Sequence, residues 1–260
     1  MSGKRKSGTA TLYGKSAYVK RARKYETARP ASGKALQAAV KRAILKVGEL
    51  KGVDTDLTQA SVLDTTSTNA GAVVLNLIQT GNGSWNRNGR EAILRSVRLR
   101  GQFNWAYTNE AVTGNIFGNV VRMVVVWDKQ PSSGTIPTFD TIFGQTSQLG
   151  TETTEYLDAI KYDNMKRFQV LRDIVHEFKP KLDAAGGTVN AVTESCPFDE
   201  YIDLKNRESV YSGQSNPLTI ADISTGALYV YFRAAANVAA TSVVSVSPNS
   251  FARLRYSDPQ

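Results

Sequence analysis

One cysteine and one histidine in 260 residues remove much chemistry at the outset. Cys196 alone forms neither an intrachain disulfide nor a cysteine zinc site, a usage that suits an intracellular protein. His176 alone excludes a histidine-rich metal site, and any Ser-His-Asp triad would have to be built around it. It falls on the strand face of Phe168, Val170 and Ile174, where a packed histidine is expected rather than a catalytic base. Long apolar runs are missing too: "VVRMVVVW" at 120–127 is too short to span a bilayer and contains Arg122, so no membrane insertion is expected. The first 30 residues lack the apolar stretch of a secretory signal, and no leader is expected. Neither a P-loop nor a dinucleotide-binding glycine pattern occurs, which leaves nucleotide hydrolysis without visible apparatus.

Acids are nearly absent from one end of the chain. Residues 1–52 hold fourteen Lys and Arg against Glu26 and Glu49, a net +12, and the other 208 residues stand at −3. Basicity so concentrated favours a polyanionic partner. Leu12 and Val19 are the only large aliphatic side chains before residue 31, too few to offset the entropy of ordering, and a largely disordered arm is expected. Lys4, Arg5, Lys6, Lys15, Lys20, Arg21, Arg23, Lys24 and Arg29 each offer a phosphate contact, and Tyr13, Tyr18 and Tyr25 are candidates for stacking on unpaired bases. A solvated tail that only aids solubility is the plain alternative. "GKRK" at 3–6 and "VKRARK" at 19–24 also match nuclear-import clusters, which would make import receptors partners and the nucleus a stop. After Ser32, a candidate cap, Leu36, Ala39, Val40, Ala43, Ile44 and Val47 recur at helical spacing. A short basic helix is expected over 33–47, with Lys34, Lys41, Arg42 and Lys46 as further nucleic-acid contacts.

Beyond residue 52 the period becomes two. In "EAILRSVRLRGQFNWAY" the odd positions are mostly apolar and the even ones polar, with Arg95 breaking the alternation and Gly101 marking a candidate bulge. Arg98 and Arg100 on the polar face would extend the basic surface onto the folded domain; ordinary solvated arginines are the alternative. "NVVRMVVVWD" is apolar at both parities, as in a strand covered on both faces. Short strands, long Gly/Pro/Ser/Thr/Asn connections and no helical crossovers predict an all-β fold: an eight-stranded antiparallel jelly-roll β-sandwich over 53–260 behind a basic arm over 1–52. A helical turn is considered within 139–165. Ile116, Phe117, Ile136 and Phe139, large apolar side chains in long connections, are candidates for subunit contacts, with packing inside one subunit the alternative. Asp54 with Asp56, and Asp199 with Glu200, are the only carboxylate pairs singled out for catalysis.

Two stretches carry a resemblance. "RMVVVWDKQPSSGTIPTFDTIF" at 122–143 resembles the "VVYDKQPNG…P…DIF" strand and loop in capsid proteins of small circular single-stranded DNA viruses that encode a replication initiator. "NMKRFQVLRDIVHEF" at 164–178 resembles the "RF.VL.D" strand that follows it in circovirus-like and geminivirus-like coats. The resemblance implies a jelly-roll subunit that self-assembles into a small icosahedral shell, an inward basic arm on the genome, no cofactor and no enzymatic role. The arm departs from the circovirus type, being richer in lysine and alanine. A non-viral β-sandwich that binds nucleic acid or acts as a chaperone is the second reading, and a carbohydrate-active sandwich enzyme the third.

Overall fold

The computed structural model describes residues 49–58, 72–107, 120–131, 134–146, 152–153, 157–178, 192–212, 219–234 and 242–258, together with Gln37. The chain divides into two units, Met1–Val47 and Gly48–Gln260. In the first only Gln37 is described, helical and exposed; the rest of the arm and of the helix expected over 33–47 lies outside the described residues.

In the second unit the described strands are β1 (Glu49–Asp56), β2 (Ala72–Val74), β3 (Glu91–Tyr107), β4 (Val120–Asp128), β5 (Gln145–Thr146), β6 (Glu152–Thr153), β7 (Phe168–Glu177), β8 (Val192–Tyr211), β9 (Ile223–Thr225), β10 (Ala227–Ala234), β11 (Ser242–Val246) and β12 (Phe251–Asp258). One α-helical turn, α1 (Phe139–Ile142), lies between β4 and β5 and is capped by Thr138; with the 3-10 turn Tyr162–Asn164 it falls inside the stretch where a turn was considered, and a second 3-10 turn spans Ile220–Asp222. β1 begins within the segment assigned to the arm, so the β domain opens at Gly48 rather than residue 53. Lys51, Val53 and Thr55 face inward from β1, and with one apolar residue among the three the strand has little hydrophobic signal. Lys51 is thus a buried strand residue 3.5 Å from Asp258, not an arm residue.

Two main sheets form, β1-β12-β3-β8-β9 with β11 also on β3, and β2-β10-β4-β7, and β5 pairs with β6 apart from them. The pairs β1·β12, β2·β10, β3·β8 and β4·β7 are all antiparallel and nested, first strand with last and inward from there. A long hairpin closing at the β4–β7 connection and rolled on itself has this pairing. Eight principal strands so arranged make the domain a jelly roll.

β4 and β10 are buried along both faces, as the sequence of β4 suggested. Their inner face, including Met123, Phe232 and Leu228, joins Phe103 and Phe198 of the other sheet in the core. Their outer face is roofed by the connection between β4 and β7: Phe139 stacks on Phe143 with centroids 4.6 Å apart, and the Tyr231 hydroxyl donates to the Pro137 carbonyl at 2.9 Å. Beneath this roof the buried Arg122 donates twice to Asp173, at 2.8 and 2.6 Å, and once to the Asp158 carbonyl. A buried guanidinium needs such saturation, because an unpaired one would carry its full desolvation cost.

The irregular residue of β3 is Arg95 rather than Gly101. The register shifts between Leu94 and Ser96 against β8, where Lys205 and Asn206 take positive φ values of 53° and 58°. Ala92 and Leu94 therefore face the core before the bulge, and Val97, Leu99, Phe103 and Trp105 after it. Gly101 serves close approach: a β-carbon there would lie 2.2 Å from Ser250 Oγ.

Asn76, just after β2, ties the sheets together. Its amide donates to Ser209 Oγ and to the Gly226 carbonyl, both at 2.8 Å, and its Oδ1 accepts from the Leu228 N–H at 2.9 Å. Its backbone carbonyl accepts the Tyr211 hydroxyl at 2.8 Å.

His176 points inward from β7, with ring centroids 5.4 Å from Phe103 and 6.2 Å from Phe198. Burial pushes its pKa below the ordinary 6.5, against a smaller opposing pull from Glu200, and its Nε2 is buried without a hydrogen-bond partner. The fold thus accommodates the neutral ring, while the unfolded chain binds the proton more readily. Stability from this residue is present above pH 6.5 and is lost as pH falls toward the depressed folded pKa. Thermal melts between pH 7.5 and about 5 should show a decline that His176→Phe flattens; an unchanged slope would remove the histidine from the account.

Candidate nucleic-acid interface

The nine arm cations, Lys34, Lys41, Arg42, Lys46 and the three arm tyrosines lie outside the described residues, as do Ile116 and Phe117. With the boundary at Gly48, residues 1–47 hold thirteen basic side chains against Glu26, still +12.

Arg98 and Arg100 both project from the outer face of the six-stranded sheet, and the register sets them among residues distant in sequence. Arg98 lies opposite Arg253 on β12 and Tyr201 on β8, and Arg100 opposite Phe251 and Asp199. Arg255, one step along β12, pairs in register with Ser96. Two "RLR" triplets, at 98–100 and 253–255, thereby bring four arginines onto one face. Like charges across adjacent strands repel, and two carboxylates offset them. Arg98 donates to both oxygens of Asp199 at 2.7 Å, with Arg100 Nε 3.3 Å from the same group, and Arg253 donates to both oxygens of Asp54 at 2.8 and 2.7 Å.

These hydrogen bonds hold the Asp199 and Asp54 carboxyls below the usual carboxylate range and raise the guanidinium pKa of Arg98 and Arg253. The pairs are about half exposed, where water screens an ion pair and leaves its contribution small. A phosphate could therefore replace a carboxylate at small cost, keeping the fork geometry that suits either anion.

Aromatic surface accompanies the cations. Tyr201 is 65% exposed beside Arg98, and the Arg253 guanidinium lies 5.7 Å from the Phe251 ring centroid. Next to them is a depression of about 500 Å³ lined by Arg100, Gln102, Pro197, Phe198, Asn249 and Phe251. Its size falls within the range of roughly 300–1,000 Å³ common for small-ligand sites. Gly101 also lines it, and any side chain there would meet Ser250 and Phe198.

Arg253, Arg255, Tyr201 and Phe251 were not singled out from the sequence. The repeated "RLR" was the available signal, but the pairing that joins its two copies spans more than 150 residues, from Arg98 to Arg253.

The carboxylate pairs take other positions. Asp199 and Glu200 alternate on β8 and face opposite sides, Glu200 accepting from Arg172 at 3.0 and 2.7 Å. Asp54 and Asp56 share a face, and Asp56 accepts the Thr58 N–H at 2.8 Å, which lowers its pKa. Hydrogen bonds displace the pKa of Asp54, Asp56 and Asp199 downward, opposite to what a general acid requires. Cys196 is a half-buried thiol against the core, its pKa raised by burial and by Glu194.

Phe139, expected at a subunit contact, is 1% exposed and belongs to the roof over the four-stranded sheet, because its ring fills the space above Tyr231 and Arg233. Ile136 is half-buried against the same core.

No curated protein matches the chain. The solved structure titled "Structure of infectious bursal disease virus Gt strain" matches at 11% identity over 80% of this chain and 38% of that chain, with a TM-score of 0.24. The chain thus spans well under half of that protein, and the likeness carries no weight here. A basic end, a jelly-roll body and the two capsid-like stretches agree instead with a match along almost the whole sequence: residues 2–254 fit the model of the geminivirus coat protein/nuclear export factor BR1 family, and the chain belongs to that family.

Proposed function

We propose that this viral capsid protein assembles with copies of itself into a closed icosahedral shell and packages single-stranded DNA through its basic N-terminal arm. The observation that carries this reading is the division of charge: +12 in residues 1–47 joined to a jelly-roll body at −3, in a chain of a coat-protein family. Phosphates packed inside a shell repel one another and oppose closure, and a cationic segment offsets that charge while the mildly acidic bodies tile. The role is structural, not catalytic. The arginine face of the six-stranded sheet is the second nucleic-acid surface, with Tyr201 and Phe251 available for base stacking. The clusters at 3–6 and 19–24 suit nuclear import receptors, which would place assembly in the host nucleus. The family name also covers a nuclear export factor, and absence of closed shells would favour that reading.

Free subunits titrated with labelled oligonucleotides test the binding half. Affinity should be insensitive to sequence and fall steeply with salt. Replacing Arg100 and Arg255 with glutamine should reduce the log-log salt slope by about 0.7 for each arginine. These two are chosen because Arg98 and Arg253 already hold bidentate carboxylates. A sequence-selective, salt-insensitive affinity would sink the electrostatic reading, and an unchanged slope would remove the sheet face from it.

A further inference from the structure

The loop entering β7 exposes large apolar side chains on a rigid frame. Leu157, Tyr162 and Met165 are 58%, 91% and 52% exposed within nine residues. Backbone bonds fix the loop: the Lys161 N–H donates to the Ile142 carbonyl at 2.9 Å, and the Gly144 N–H to the Ala159 carbonyl at 3.1 Å. Arg167 closes it with two bonds to the fully buried Asp128, at 2.9 and 2.8 Å. An apolar knob held this firmly gives up little conformational entropy on binding.

The same chain carries a matching hollow. About 510 Å³ opens between β1 and β2, lined by Val53, Ala72, Val73, Leu77 and Ile136, with Trp85 59% exposed beside it. Asp54 and Asp56 stand at this groove, and the bond from the Thr58 N–H keeps Asp56 ionised. Lys161 and Lys166 flank Tyr162 and Met165, with Asp163 the one exposed acid among them, so the two surfaces differ in charge sign as well as in shape.

Sheet order separates knob and groove. β2 and β7 are the two edges of the four-stranded sheet, three strand spacings or about 14 Å apart, and β1 is the edge of the other sheet on the β2 side. A knob on one flank and its complement on the other make a head-to-tail contact, the kind that generates rings when the rotation closes.

We infer that Tyr162 and Met165 of one subunit seat in the β1–β2 groove of a second copy of this chain. This rests on the shell reading above, and names the contact by which neighbouring subunits join. The lysines of the knob meet Asp56 at the rim of the groove, Asp54 being held by Arg253, and Trp85 covers the seated side chains.

The test uses full-length chains carrying Cys196→Ser, so that added thiols are the only ones. Assembled particles of Tyr162→Cys with Trp85→Cys in one chain are treated with a short bismaleimide and separated under denaturing conditions. A ladder extending beyond dimers is expected. Co-assembled single variants should give dimers only, since each chain then has one thiol, and either single variant alone should stay monomeric. Particles that form but yield no cross-link, or a single variant that cross-links to itself, would overturn the head-to-tail contact and leave the shell reading intact. Absence of particles from the unmodified chain would instead overturn the shell reading, and this contact with it. As a second arm, Tyr162→Glu should keep the wild-type melting temperature yet form no closed shells, while Tyr162→Phe assembles. Normal shells from Tyr162→Glu would contradict the inference.

Discussion

Asn76→Ala should destabilise the jelly roll by about 3 kcal/mol, because it removes a buried amide that bridges the two sheets and leaves the Leu228 N–H unpaired. The Leu228 N–H loses the Asn76 Oδ1, and Ser209 and the Gly226 carbonyl lose the amide donor while keeping the bond of 2.6 Å between them. Each buried polar group left unpaired costs about 1–3 kcal/mol, and no water reaches a residue with no exposed surface to compensate it. For a domain of this size the melting temperature should fall by roughly 6–12 °C. Asn76→Asp should be no milder, since a carboxylate cannot donate to the Gly226 carbonyl and would be buried as a charge. A change of less than about 0.5 kcal/mol in Asn76→Ala would show that the sheets are held by hydrophobic packing alone.

Deleting residues 1–30 should have the largest effect on function while leaving the fold untouched. The deletion removes nine Lys and Arg, all from the unit that precedes the β domain. Nine phosphate contacts on a single strand correspond to a log-log salt slope near −6, or a loss of about 10³–10⁴-fold between 50 and 200 mM salt. The truncated subunit should show a slope much nearer zero, melt at the wild-type temperature, and give particles depleted of nucleic acid. Particles with unchanged nucleic-acid content would contradict the assignment of packaging to the arm.

Much of this architecture is legible in the sequence, and the exceptions share a cause. The alternation of β3 and the two-faced apolarity of β4 are local patterns set by burial, so they are read directly from "VRLRGQFNW" and "RMVVVW". β1 is not, because Lys51 and Thr55 take two of its three inward positions, and the cation is tolerated by donating to the Asn86 carbonyl at 2.9 Å and by pairing with Asp258. That partner lies 207 residues away. The bulge at Arg95 is likewise set by Lys205 and Asn206 across the sheet. Arg98 and Arg100 were correctly placed on the solvent face, but their company of Arg253, Arg255, Tyr201 and Phe251 depends on β12 and β8 flanking β3. Phe139 misled for the same reason: a polar, glycine-containing connection reads as exposed until the sheet it covers is known.

Electron microscopy of the purified full-length protein, with its absorbance ratio at 260 and 280 nm, tests the central claim most directly. Uniform closed shells with the ratio of a nucleic-acid-loaded particle are the expected result, turning to protein-like shells when residues 1–30 are removed. Monomers or small open oligomers under every condition that preserves the fold would contradict it.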